Sequence, residues 1–169
     1  MSWWGSNSSN IDFKNWSDSV IHKIGDVLED TRTEKTYKQI GGILKYADVP
    51  NNSGIYLFRD INDTKNIYCG KANDLRRRLA EHLTGQSGKL RKGEEYTIRW
   101  IESSNHGLSE AIAVICFQPE RNDGNDWKNS MRREDSKKIL REAERLGVYS
   151  RDNQEDFCLK FLDFISKEI

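Results

Sequence analysis

Arg78 and His82 stand four residues apart in Asn73-Asp74-Leu75-Arg76-Arg77-Arg78-Leu79-Ala80-Glu81-His82-Leu83. At about 100° per residue, Leu75, Leu79 and Leu83 form the buried stripe of a helix. Arg78 and His82 then sit together on the rim of that stripe, and Arg77 points away from it. A guanidinium at a core rim keeps its charge and needs a partner, and its planar fork of donors matches a phosphate. The bland alternative is that Arg78 snorkels or pairs with Glu81 or Glu110. An imidazole of unperturbed pKa about 6.5 can accept a proton at neutral pH. Glu110 is the one carboxylate between Leu108 and Phe117, in a segment otherwise apolar almost all round. Burying it alone costs several kcal/mol unless a cation, a charged partner or hydrogen bonds stabilise it. Magnesium would do so; so would a place in the first helical turn, near Ser109, where the macrodipole and free amides favour an acid.

These are parts from which phosphodiester hydrolysis could be assembled. That reaction needs an activated water, charge stabilisation on a pentacoordinate phosphate and help for the departing alkoxide. A magnesium ion held by one carboxylate keeps most of its waters and can neutralise the leaving oxygen, so no carboxylate cluster is required.

The elements that must position these groups follow from periodicity. Val20, Ile21, Ile24, Val27 and Leu28 predict an amphipathic helix over 17–30. A second helical piece is expected over Tyr37–Leu44, weakened by Gly41-Gly42. Pro50-Asn51-Asn52-Ser53-Gly54 is a turn cluster. Ile55-Tyr56-Leu57-Phe58 and Asn66-Ile67-Tyr68-Cys69 predict a hairpin of two short strands. Asn73 or Asp74 can cap the Arg78 helix, which Gly85 and Gly88 break. A third strand is expected over Tyr96–Ile101, then a buried helix over Leu108–Phe117 ended by Pro119. Further helices fall near Met131–Leu146 and Asn153–Ser166, the latter lined by Phe157, Cys158, Phe161, Leu162 and Ile165.

A chain of 169 residues suits one hydrophobic core. The expected organisation is a helical extension over 1–50, a catalytic core over 51–125 and a helical extension over 126–169. No run of about 18 apolar residues offers a membrane span, and Met1-Ser2-Trp3-Trp4-Gly5 does not read as a signal peptide, so the expected location is cytoplasmic. Three cysteines, Cys69, Cys116 and Cys158, are odd in number and set in apolar surroundings, and read as buried small hydrophobes. Trp3, Trp4 and Trp16 read as packing residues. His22, expected on the first helix, and His106, expected in a turn, lack ligand-spaced companions. The Gly85–Gly88 stretch reads as a simple loop.

The formal net charge is zero. Its distribution is uneven: Lys71 to Arg99 holds eight basic residues against four acids, and Lys128 to Arg145 seven against four. Positive potential therefore concentrates on limited faces, as phosphate binding requires. Lys71, Arg76, Arg77, Arg78, Lys89, Arg91 and Lys92 are the candidate nucleic-acid contacts. The helix near 131–146 is a candidate for extra backbone contacts, although a solvated charged surface explains that run equally.

Gly54-Ile55-Tyr56, Tyr68-Cys69-Gly70-Lys71, Arg78, Glu110, Pro119 and Asn122 resemble the GIY-YIG nuclease superfamily in order and spacing. The resemblance covers about seventy residues, from about Gly54 to Asn122. It implies an α+β fold, a small three-stranded antiparallel sheet flanked by helices, and a divalent-metal-dependent endonuclease acting on DNA. By this resemblance Tyr56 is the general base or water-orienting phenol, with Tyr68 beside it. Arg78 binds the scissile phosphate, Glu110 holds magnesium or another divalent cation such as manganese, Lys71 and His82 assist, and Asn122 steadies the site. A phenol of pKa near ~10 is a poor base in water, so Arg78, Lys71 or the metal would have to lower it. Cys69 stands where the family expects isoleucine. It should face opposite Tyr68, inward, where a small apolar side chain packs.

Three readings compete. The first is a DNA endonuclease, with RNA not formally excluded. The second is a nucleic-acid-binding module without chemistry. The third is an adaptor, supported by the neutral charge, whose helical ends bind a protein partner or a second copy.

Overall fold

The computed structural model describes residues 13–28, 37–39, 49–62, 65–91, 94–122, 133–148 and 154–168. Along the chain run α1 (Phe13–Leu28), β1 (Tyr37–Gln39), β2 (Gly54–Asp60), β3 (Asn66–Ala72), α2 (Leu75–Leu83), β4 (Tyr96–Glu102), α3 (His106–Phe117), α4 (Arg133–Leu146) and α5 (Gln154–Glu168). The fold is α+β. Its antiparallel sheet has the order β1-β4-β2-β3, so the expected three strands gain a short fourth at one edge.

Strand β2 is buried on both faces, which explains why Gly-Ile-Tyr-Leu-Phe reads as a continuous apolar run. Alternation sends Ile55 and Leu57, with Cys69 of β3 and Ile101 of β4, into a core built with α1, α3 and α5. It sends Tyr56 and Phe58, with Ile98 and Trp100, into a second core closed by Leu75 and Leu79 of α2. The first core joins the two ends of the chain: Trp16 of α1 meets Phe117 of α3 edge-on at 5.7 Å, and Phe157 and Phe161 of α5 lie in the same cluster. Ile139 and Ala143 bring α4 into it. All three cysteines are buried and none is in a disulfide, as expected of small hydrophobes. Arg99 is buried on the α1 side and pairs with Asp18, which removes the cost of a lone cation.

Local chemistry explains the boundaries. Asp74 caps α2, its carboxylate accepting the Arg77 amide at 3.0 Å. The Leu75 and Arg76 amides donate to the Asn52 and Pro50 carbonyls, tying the helix start to the turn before β2. Gly54 is required by close approach, since a Cβ there would run into the Ile101 carbonyl of the neighbouring strand. Helix α3 is buried from Ser109 to Phe117 and ends at Gln118, whose left-handed backbone (φ 42°) precedes Pro119.

Three expectations need correction. Tyr37–Gln39 is a strand and not part of a helix, because its backbone pairs with the open edge of β4; residues 40–44 of that expected helix lie outside the described residues. His106 opens α3 and is not in a turn. The buried stripe of α2 runs through Leu75, Leu79 and His82, while Leu83 is only partly buried, so the histidine is a core residue and only Arg78 occupies the rim. Trp3 and Trp4 lie outside the described residues.

Candidate active site

Neighbouring strands deliver Tyr56 and Tyr68 to the α2 side of the sheet, where their ring centroids are 6.2 Å apart. In the β2–β3 register Tyr56 faces Gly70. A Cβ on residue 70 would fall on the Tyr56 phenol oxygen, so the glycine of Tyr68-Cys69-Gly70 makes room for the phenol. From α2, His82 reaches the same point, its Nε2 lying 2.7 Å from the Tyr56 hydroxyl. Its ring stands among Phe58, Tyr56 and Tyr68, with centroid distances of 5.3, 5.2 and 5.5 Å. Both Tyr56 and His82 are 1% exposed. On the other side of the imidazole, Nδ1 meets the Ser87 hydroxyl.

Arg78 lies one turn before His82 and is half-exposed. Its guanidinium donates to Glu81 Oε2 at 2.8 Å, and its charge acts on the Tyr56 hydroxyl, favouring the ionised phenol. Arg77 donates to the other Glu81 oxygen at 3.0 Å. Lys89 places Nζ 5.2 Å from the Tyr68 ring centre, a cation over an aromatic face.

Glu110 arrives from the other layer. It lies on α3, is 8% exposed, and its charge acts on the Cys69 thiol, the neighbour of Tyr68 that points into the first core. Strand alternation turns Lys71 toward that same side, half-buried. Asn122 works through the backbone: its Oδ1 accepts the Cys69 amide and its Nδ2 donates to the Cys69 carbonyl, both at 2.8 Å. With the Glu120 and Arg121 amides on the Asn66 and Ile67 carbonyls, this segment covers the outer edge of β3.

Residues 52–111 match the family model of the GIY-YIG catalytic domain. This segment is a GIY-YIG domain, and the family is one of nucleases. Over 79 residues the chain is 28% identical to "UvrABC system protein C" of Fervidobacterium nodosum, covering 44% of this chain and 14% of that protein. No solved structure matches. Tyr56, Tyr68, Lys71, Arg78, His82 and Glu110 lie within the matched segment, and Asn122 lies beyond it.

Burial dominates the electrostatics of the GIY-YIG domain. It pushes the Tyr56 phenol well above the ordinary value, with Tyr68 adding and Arg78 opposing. Tyr56 is therefore a neutral phenol in this structure. Burial lowers His82 to about 4, with Arg78 and Lys89 acting in the same direction. The imidazole is thus uncharged at neutral pH, and its proton affinity is weaker than the unperturbed value led us to expect. The hydrogen bond to Glu81 holds the Arg78 guanidinium firmly charged. Among the described residues no cluster of three or more His, Cys, Asp or Glu could cage a metal.

The other cations are distributed variously. Arg76 donates through Nε to the Val49 carbonyl at 2.7 Å, a structural contact. Arg77 is exposed, Arg91 is exposed 3.9 Å from Glu94, and Lys92 lies outside the described residues. Arg121 anchors the loop that carries Lys89: it donates to the Lys89 carbonyl at 2.7 Å and with Nη2 to both Glu94 oxygens at 3.0 and 2.8 Å. Sequence reasoning passed over Ser87 and Arg121, whereas Glu81 is one of the partners it offered for Arg78. The signal for Ser87 was its place between two glycines after His82.

Proposed function

We propose that this chain is an endonuclease that hydrolyses phosphodiester bonds in DNA with the help of a divalent cation, magnesium or another such as manganese. The observation that carries the reading is the buried Tyr56–His82 pair lying directly beneath the half-exposed Arg78 of a GIY-YIG domain.

Arg78 is the phosphate ligand. Its present partner Glu81 is a partly exposed carboxylate, and solvent screening keeps such an ion pair weak. A phosphate offering two oxygens to the guanidinium fork competes with that easily. The Arg78 charge also acts on the Tyr56 hydroxyl, so a phosphate bound by Arg78 lies near the phenol. Tyr56 orients the attacking water and takes a proton from it while passing its own hydrogen to His82 Nε2. The neutral imidazole keeps its lone pair available at neutral pH for that hydrogen. The water oxygen then bonds to phosphorus and the leaving oxygen departs. Tyr68 lies beside His82, and Lys89 lies over the Tyr68 ring.

The residues fit a hydrated ion held by one acid, since Glu110 offers a nearly buried carboxylate and magnesium so held keeps most of its waters. When bound, the ion neutralises charge that develops on the leaving oxygen. Lys71 assists, and Asn122 holds β3 in place. Lys71, Arg76, Arg77, Arg78, Lys89, Arg91 and Lys92 carry the backbone contacts to DNA, which must be local because the chain as a whole is neutral.

The test is cleavage of supercoiled plasmid with magnesium or with chelator. Arg78→Ala and Glu110→Ala should each lose cutting by about a hundredfold or more, with unchanged circular dichroism. Undiminished cutting by either variant refutes its assigned role. A second reading, a binding module without chemistry, is favoured by one observation, the 1% exposure of Tyr56. It predicts salt-dependent DNA binding by the wild type and no nicking with any divalent metal.

A further inference from the structure

The loop after α2 carries two residues of positive φ, Gly85 at 80° and Gly88 at 70°. They fold the chain back over its own helix, with the Gly85 amide on the His82 carbonyl and the Gln86 amide on the Glu81 carbonyl. The reversal brings Ser87 onto His82 Nδ1, and Lys89 onto the Tyr68 ring. The Ser87 oxygen also accepts the Lys89 amide at 3.3 Å, which leaves it one further lone pair.

Hydrogen bookkeeping around Tyr56 then has one solution. Arg78, the cation acting on the Tyr56 hydroxyl, can only donate and so cannot take the phenolic hydrogen. The phenolic hydrogen needs an acceptor in a buried place, and His82 Nε2 is at 2.7 Å. If Nε2 accepts, the hydrogen of the neutral ring is on Nδ1, and it points at Ser87. We propose that Ser87 is a positioning residue: by accepting the His82 Nδ1–H it selects the tautomer whose Nε2 lone pair receives the Tyr56 hydrogen. The stretch expected to be a simple loop thereby sets the direction of the Tyr56–His82 bond. Without the hydroxyl, Nδ1–H is a buried donor lacking its acceptor, an arrangement that is unfavourable. The ring can avoid that cost by moving its hydrogen to Nε2, and it then can no longer accept from Tyr56. The catalytic consequence rests on the nuclease reading above; the tautomer assignment does not.

The experiment is long-range proton–nitrogen NMR on the labelled full chain at neutral pH. The chain has three histidines, and His82→Gln assigns the signal. The wild type should show a neutral His82 ring protonated on Nδ1. Ser87→Ala should move the hydrogen to Nε2, and Ser87→Thr, which keeps a hydroxyl, should retain the wild-type pattern. An Nε2-protonated wild type, or an unchanged tautomer in Ser87→Ala, overturns the assignment. In plasmid cleavage, Ser87→Ala should lower kcat about tenfold with KM within about twofold, and Ser87→Thr should recover most of it. The tautomer shift with undiminished kcat overturns the positioning role. The groups facing His82 are Tyr56, Tyr68, Arg78, Glu81 and Lys89, none of which these variants change. If the wild type does not cut at all, the nuclease reading fails, while the tautomer shift still decides the role of Ser87.

Discussion

The Tyr56 hydroxyl and His82 Nε2 lie 2.7 Å apart across two elements, a central strand and the helix that covers it, with Gly70 leaving the space that the phenol occupies. Each group is buried, each is held neutral by that burial, and Arg78 adds a cationic donor at the solvent side. Tyrosine and histidine therefore form one hydrogen-bonded pair under the charge of Arg78, and the three should respond together to pH and to steric change.

The pH response has a definite sign. His82 has its folded pKa lowered to about 4, below its unfolded value, so the folded state binds fewer protons than the unfolded chain between those values. Its contribution to stability is full above about pH 6.5 and is lost as pH falls toward 4, by up to roughly 3 kcal/mol. Denaturant midpoints measured from pH 7.5 to 4.5 should fall more steeply for wild type than for His82→Gln. Parallel curves would contradict a histidine buried in its neutral form.

Gly70→Ala should be costly although alanine suits a strand better than glycine. The new methyl group falls on the Tyr56 phenol, and overpacking of this kind costs about 1–3 kcal/mol. The phenol must shift from His82, so cleavage should drop along with the denaturation midpoint. Ala72, two residues on and also buried, is a control: Ala72→Gly removes a methyl without touching Tyr56 and should lower the midpoint while leaving cleavage near wild type.

Asn122→Ala removes both hydrogen bonds to the Cys69 backbone and opens the outer edge of β3. A loss of about 1–3 kcal/mol is expected. Hydrogen exchange at the Cys69 amide is the local readout, and it should accelerate in Asn122→Ala. Asn122→Asp keeps the acceptor and loses the donor, and should leave that amide more protected than the alanine variant does.

Local sequence determined a good deal of this protein. Periodicity placed α1, α2, α3 and the two C-terminal helices, the run Ile55–Phe58 announced a strand, and Asn73-Asp74 announced the start of α2, because each depends on neighbours within a turn or two. The order of Gly54-Ile55-Tyr56, Tyr68, Arg78 and Glu110 was enough to suggest the GIY-YIG family, since spacing along the chain is itself a record of the fold. Only the tertiary structure decided what depends on distant partners. Tyr37–Gln39 is a strand because β4 offers an edge. His82 is a buried neutral acceptor and not a rim base because Tyr56, from a strand 26 residues away, closes over it. Asn122 grips the backbone of Cys69 across 53 residues, and Ser87 meets an imidazole only because two left-handed glycines turn the chain. Burial and hydrogen bonding between separated segments set these roles, and neither quantity is a property of a residue and its immediate neighbours.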